Sequence, residues 1–199
     1  GIAPVGQIID VIAKFDNLLP LDIQGLDFGF SYKLPPTPVG DFGISLDVSK
    51  LLKFYQSPST QVQELIDAQK SGLINPSVAI PGAASLIRQS GHPVWKWSST
   101  IDYASGPFRA ALQAQYVDTV DELGILDLTG ATYKVQSQLV FNLYGQYTFP
   151  KGGFSEGTSV RIGARNLGDK APPLSSGGYL GNLYQPYARY WYASISKSF

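Results

Sequence analysis

The 199-residue chain carries 15 basic and 15 acidic side chains, so its formal charge is zero, and only 15% of its residues are charged against about 25% in an average soluble domain. A neutral chain lacks the basic surplus that a nucleic-acid partner requires, and the absence of cysteine excludes disulfides, thiolate metal sites and thiol nucleophiles. No apolar run approaches the ~18 residues of a transmembrane helix, so any passage across a bilayer must be made by strands.

Taken in chain order, the first segment, residues 8–15, alternates poorly, because Ile8 and Ile12 share a face with Asp10 and Lys14. The next two alternate cleanly. Leu26, Phe28, Phe30, Tyr32 and Leu34 oppose Asp27, Gly29, Ser31 and Lys33; Phe42, Ile44, Leu46, Val48, Leu52 and Phe54 oppose Asp41, Ser45, Asp47 and Lys53, with Lys50 out of place. A long connection, residues 56–92, follows. Within it residues 60–71 read as a short helix, with Thr60 and Gln63 as a capping box, Val62, Leu65 and Ile66 as an apolar stripe, and Gly72 at the C-terminal cap.

Trp95, Trp97, Ile101 and Tyr103 then oppose Lys96, Ser98, Thr100 and Asp102, and Phe108, Ala110, Leu112, Ala114 and Tyr116 oppose Arg109, Gln113 and Gln115. After a long stretch, residues 118–131, comes the longest alternation, residues 132–149. Its odd positions run from Tyr133 through Leu139, Phe141 and Leu143 to Tyr147 and Phe149, an apolar middle between aromatic ends. Val160, Ile162 and Ala164 oppose Arg161, Gly163 and Arg165. A third long stretch, residues 167–188, leads to the terminal strand RYWYASISKSF, in which Trp191, Ala193, Ile195 and Phe199 oppose Tyr190, Tyr192, Ser194, Ser196 and Ser198. Lys197 is its misfit, placed to snorkel into a headgroup layer.

Seven clean segments and one weak one predict an all-β fold: an antiparallel transmembrane β-barrel wall of about eight strands. The alternative for each strand is half of a soluble sandwich with its apolar face on a core. Strand length, aromatic ends and low charge favour the barrel. Short Pro/Gly-rich turns at residues 35–40, 104–107 and 150–153 alternate with the long connections, so the turns are expected on the periplasmic side and the long loops outside the cell.

Three stretches resemble the C-terminal barrel of TonB-dependent outer-membrane receptors. Residues 160–173, VRIGARNLGDKAPP, are similar to that family's V-x-N-L-F-D-K-x-P-P, with Arg165 and Gly168 where Asn and Phe are usual. Residues 187–199 resemble its GR-x-Y last strand ending in Phe, with Ala188 in place of Gly, and Gly25-Leu26-Asp27-Phe28 resembles its G-[IVL]-[DE] strand opening. The 174–187 loop looks most like receptors associated with oligosaccharides or other large substrates.

The resemblance implies that residues 1–199 are the last third of a barrel of about 22 strands closed around a plug domain. It places the parent in the outer membrane of a Gram-negative bacterium, importing a scarce nutrient (a siderophore, vitamin or oligosaccharide) with energy from the TonB complex. Partners expected from it are outer-membrane lipid, the plug and the barrel-assembly machinery, which would read Phe199 as its signal. Gly1 reads as a processed or truncated start. A different class is a self-contained eight-stranded anchor or adhesin barrel.

No catalytic constellation, metal-ligand spacing or cofactor motif stands out, so the chain is not read as an enzyme. The sole histidine, His92, has Ser90 and Ser99 nearby in sequence, the one arrangement a hydrolase reading has to offer. Tyr179, Tyr184 and Tyr187 are candidate ligand-stacking residues, or part of an aromatic girdle. Asp27, Lys33, Asp47, Lys53, Lys96, Asp102, Arg109, Lys134, Arg161 and Arg165 fall on the polar face, where cross-strand ion pairs are expected for most. Arg161 and Arg165 are the candidate plug contacts.

Overall fold

The computed structural model describes residues 20–78, 80, 84–89 and 91–198. Its frame is one antiparallel sheet built from β1 (Leu21–Lys33), β2 (Asp41–Gln56), β4 (Trp95–Ser105), β5 (Phe108–Val117), β8 (Gln138–Thr148), β9 (Thr158–Arg165) and β12 (Tyr190–Lys197), paired in that order. The short β3 (Ala84–Ser85) pairs with the end of β2. Two small hairpins stand off this wall: β6 (Val120–Leu126) with β7 (Thr132–Val135), and β10 (Leu174–Ser175) with β11 (Gly178–Tyr179). The weak segment at residues 8–15, Ser90 and Phe199 lie outside the described residues.

Register explains why the faces differ. One row of paired residues crosses all seven wall strands as Tyr32, Ile44, Ile101, Leu112, Leu143, Ala164 and Trp191, apolar throughout. Period-two alternation carries that composition to the whole convex face. Phe28, Ile162 and Trp191 are 59%, 57% and 66% exposed, and no second layer of the described residues covers them. A soluble sandwich would bury this face; among the described residues the buried apolar side chains are only Ala111, Val120, Val135, Ala164 and Tyr184. The structure is therefore a barrel-wall sheet and not half of a sandwich.

Aromatic pairs bound the apolar band at both ends. Phe42 and Tyr103 (5.0 Å between centroids), Tyr103 and Phe108 (6.1 Å), and Tyr147 and Phe149 (5.1 Å) gather near the short turns, and Trp97 stacks on Tyr116 (5.5 Å) near the long connections. From Trp95 to Tyr103 the strand runs about 27 Å, enough for a tilted strand to cross a bilayer core. The misfit Lys50 pairs with Leu26 and Trp95 and lays its ammonium 4.7 Å from the Trp95 ring centroid, at the rim of the band. Lys197 at the opposite rim sits 4.7 Å from the Phe154 ring centroid. Both cations thus stand where a long side chain reaches headgroups.

Turns follow local chemistry. β4 and β5 are joined by Gly106-Pro107 alone, and Gly106 at φ +53 followed by a proline matches a type II′ hairpin. Helix α1 (Thr60–Lys70) forms as the sequence predicts, but its cap is Ser59, whose hydroxyl accepts from the Val62 N–H at 3.3 Å. The cap read at Thr60 is therefore displaced by one residue, and with Val62 three residues on there is no reciprocal side chain to complete a capping box. Gly72 closes the helix at φ +82, with Leu73 N–H bonding Ala68 O and Gly72 N–H bonding Gln69 O, a Schellman motif.

Two further expectations are corrected. The alternation at residues 132–149 is not one strand: Thr132–Val135 folds back on Val120–Leu126, and the wall strand begins at Gln138. Gln136-Ser137 breaks it because the preceding residues bury Val135 in a separate small core. In β2, Lys50 pairs with Leu26 but Lys53 with Gln24, so a bulge inserts one residue and alternation cannot be carried past it.

Candidate functional site

The concave face is polar and holds a cavity of about 780 Å³ toward the long connections. Its floor runs from β2 and β4, which contribute Asp47, Lys96 and Asp102, across β5, β8, β9 and β12. Asn142 donates to Gln113 Oε1 at 3.1 Å, and Arg161 donates through Nε (2.9 Å) and a terminal nitrogen (2.7 Å) to Gln146 Oε1. The same guanidinium lies 4.5 Å from the Tyr144 ring centroid, and that of Arg165 lies 5.9 Å from Tyr190. Between the arginines on the same face, Gly163 leaves room for the Tyr192 ring: a Cβ at Gly163 would fall 2.5 Å from Tyr192 Cζ. The sequence marks this close approach only as a glycine between two arginines; nothing in it points to Tyr192.

Most of the expected ion pairs do not form; Lys53, which reaches Asp22 across β1 and β2, is the exception. Among the described residues the ion pairs are Lys53–Asp22, Lys70–Asp67 (3.6 Å) and Arg88–Asp118 (3.7 Å), and none joins two of the concave-face charges. Registry is the reason. Asp102 pairs across to Gly43 and Ala111, and Arg109 to Ala104 and Gln146, so opposite charges never sit directly opposite each other across a wall ladder. Asp27 instead accepts the Ser49 hydroxyl at 2.6 Å. Lys134 leaves the wall altogether, since it lies on the β6–β7 hairpin opposite Asp121.

Above the cavity the three long connections are fastened together. Val120, Val135 and Tyr184 form a small core with Val117, Tyr133, Leu180 and Leu183 around it. Glu122 accepts both the backbone N–H (2.9 Å) and the hydroxyl of Ser176, and the Tyr133 hydroxyl donates to Leu174 O at 3.1 Å. Arg88, at φ +64, donates to the Thr119 hydroxyl at 2.9 Å, pairs with Asp118 and accepts the Asp121 N–H on its carbonyl. These cross-links between distant loops were not visible in the sequence.

The candidate tyrosines separate. Tyr184 is 3% exposed, donates to Gln136 O at 3.3 Å, and has its phenol pushed up by burial and then by Asp118 and Tyr116. It packs in the small core and also borders the cavity. Tyr187 is 63% exposed, lines the cavity and lies 6.2 Å from the Tyr190 ring, while Tyr179 stands on β11 outside the cavity lining. Tyr190 and Tyr192 line the cavity too. His92 packs its ring 4.4 Å from Phe54 and contacts Gln89 O through Nδ1 at 2.9 Å, a wedge inside its own turn, with no serine or carboxylate among its described contacts.

No family model and no curated protein matches the chain. Solved structures do. The ferric enterobactin receptor of Pseudomonas aeruginosa, in a mutant form, superposes with a TM-score of 0.52 at 16% identity over 89% of this chain and 22% of that one. A second mutant of the same receptor, bound to enterobactin, gives 0.53 at 17% identity over the same shares. The chain thus spans about a fifth of those receptors' length (22%). It has the fold of one section of the β-barrel wall of a TonB-dependent receptor.

Proposed function

We propose that this chain is the C-terminal wall section of an outer-membrane active transporter that imports a scarce nutrient with energy from TonB. The observation that carries the reading is the seven-strand register, apolar on its convex face and polar on its concave face, in the fold of a receptor barrel. The convex face meets outer-membrane lipid of a Gram-negative bacterium. The concave face lines the lumen that the parent's plug domain occupies, with Arg161 and Arg165 turned toward it. The connections at residues 57–94, 118–137 and 166–189 form the extracellular mouth, where Tyr179 and Tyr187 are the exposed candidates for ligand contact. The terminal strand, through Phe199, is the segment presented to the barrel-assembly machinery. The nutrient is a siderophore, vitamin or oligosaccharide.

The sheet's edges support a wall section over a self-contained anchor barrel. Among the described residues β1 and β12 are its two ends and do not pair with each other, and an unpaired strand edge demands another strand. The test is the intact gene expressed in a Gram-negative host. The expected result is an in-frame extension encoding a plug and further alternating strands, with nutrient uptake that stops when TonB is deleted. A start codon and leader immediately before Gly1, with no uptake, overturns the transporter in favour of the anchor.

A further inference from the structure

Charge divides the concave face into two sectors. β1, β2 and β4 carry Asp27, Asp41, Asp47 and Asp102 with Lys33 and Lys96. β5, β8, β9 and β12 carry Arg109, Arg161 and Arg165 on that face and contain no carboxylate residue at all. The guanidiniums of this second sector are held by neutral groups: Gln146 and the Tyr144 ring for Arg161, the Tyr190 ring for Arg165. Two hydrogen bonds orient Arg161, Arg165 rests against a ring alone, and no carboxylate of this sector compensates either charge. Asp47, Lys96 and Asp102 line the same cavity from β2 and β4, but Asp102 is three strands from β9, about 14 Å at the usual strand spacing. Beside the arginines themselves the wall is of one sign and focuses potential on whatever passes it, and a planar guanidinium fork matches a carboxylate or phosphate.

Arg161 and Arg165 are four residues apart on one strand, about 13 Å between Cα atoms, and their side chains flank the Tyr192 ring that lies on Gly163. A flat phenol between two cations offers a stacking surface with an anion seat at either end. The cavity opens beside the long connections, so this seat stands at the mouth half of the wall.

We propose that this sector binds a planar, dianionic solute, its ring stacked on Tyr192 and its two anionic groups met by Arg161 and Arg165. The inference rests on the transporter reading above and adds the charge class of the solute. Neutral sugars of similar shape gain nothing from the two arginines and are disfavoured.

The test uses the full-length protein in detergent, titrated by fluorescence with naphthalene-2,6-dicarboxylate and with its neutral dimethyl ester. The dicarboxylate is expected to bind at least tenfold more tightly than the ester, and more weakly as salt rises. The double variant Arg161→Gln/Arg165→Gln is expected to lose at least tenfold for the dicarboxylate and nothing for the ester. The double lysine variant restores part of the loss, and Asp102→Asn on the other sector does not weaken binding. Unchanged heat-modified gel mobility of each variant establishes that the barrel has folded.

Equal binding of dicarboxylate and ester, no saturable binding of the dicarboxylate, or indifference to the double glutamine variant overturns the inference. If that variant instead loosens the lumenal domain to protease without changing probe binding, the arginines are docking contacts for that domain and the inference also falls. TonB-dependent uptake measured in the same strain separates the two readings. Uptake that persists without anion discrimination overturns the anion seat alone, whereas absent uptake overturns the transporter.

Discussion

The Asp169 carboxylate accepts the backbone N–H of Arg189 at 2.8 Å, tying the exit of β9 to the entry of β12 across 20 residues of loop. Asn166, at φ +49, completes the clasp: its amide donates to Lys170 O (2.7 Å) and Tyr187 O (3.2 Å), and its oxygen accepts the Lys170 N–H at 3.0 Å. The Arg189 side chain returns a bond to Leu167 O at 3.3 Å. These residues are the ones through which the sequence resembles a receptor barrel, and their role is mechanical. They close the last long loop at its base.

Asn166→Ala is expected to destabilise the barrel by about 2 kcal/mol, since it removes three side-chain bonds and leaves a non-glycine residue in a left-handed conformation. Chemical unfolding of the full-length protein in detergent measures it. Asn166→Gly should recover part of the loss, and equal damage from both substitutions would show that the backbone conformation is irrelevant.

Gly163→Val should displace the Tyr192 ring, because the new side chain starts 2.5 Å from Tyr192 Cζ. Adding Tyr192→Ala to Gly163→Val should make the pair less damaging than the sum of the single changes. A double-mutant cycle on unfolding midpoints reads this coupling, and simple additivity counts against the close approach.

The two faces respond differently to charge. Leu112→Arg, in the middle of the convex apolar row, is expected to cost about 2–4 kcal/mol of folding into lipid vesicles. Thr100→Arg, on the concave face, should be tolerated, because that side is wet. The reverse ranking would invert the assignment of lumen and lipid.

The tip of the β6–β7 hairpin is sensitive to acid. Asp127 accepts the Thr129 hydroxyl (2.6 Å), the Thr129 N–H (2.8 Å) and the Ala131 N–H (3.1 Å), and these bonds, the Thr129 hydroxyl first, hold its carboxyl below the usual range. A depressed carboxylate contributes order that is fully present above its unfolded pKa, about 4, and is lost as pH falls through the lower folded value. Amide exchange at Thr129 and Ala131 should therefore gain an extra acceleration on acidification below about pH 4, and Asp127→Ala should abolish that step.

The short-range pattern carried most of the wall. Alternation places a side chain on one face or the other without reference to anything distant, so the strands from Leu26, Phe42, Trp95, Phe108, Val160 and Tyr190 and the polarity of their faces were legible at once. The helix at Thr60–Lys70 was legible for the same reason, to within one residue at its cap. What alternation cannot carry is a change of partner. Residues 132–135 keep the period of β8 yet pair with Val120–Leu126, because burying Val120 and Val135 beside Tyr184 decides the matter. The bulge in β2 is equally invisible, since it depends on which residue of β1 lies opposite.

The candidate site divides along the same line. Arg161 and Arg165 were readable as polar-face arginines, but whether they meet a carboxylate depends on the register of two neighbouring strands. That register gave them Gln146, Tyr144 and Tyr190 instead. Tyr184 and Tyr187, three residues apart in one loop, are indistinguishable in sequence, and only the docking of the β6–β7 hairpin buries one and leaves the other open. By itself the sequence determined a two-faced strand wall, because that information is local and periodic. The tertiary structure alone decided which charges stay unpaired and which aromatics stay exposed, because those depend on strands and loops brought together from far along the chain.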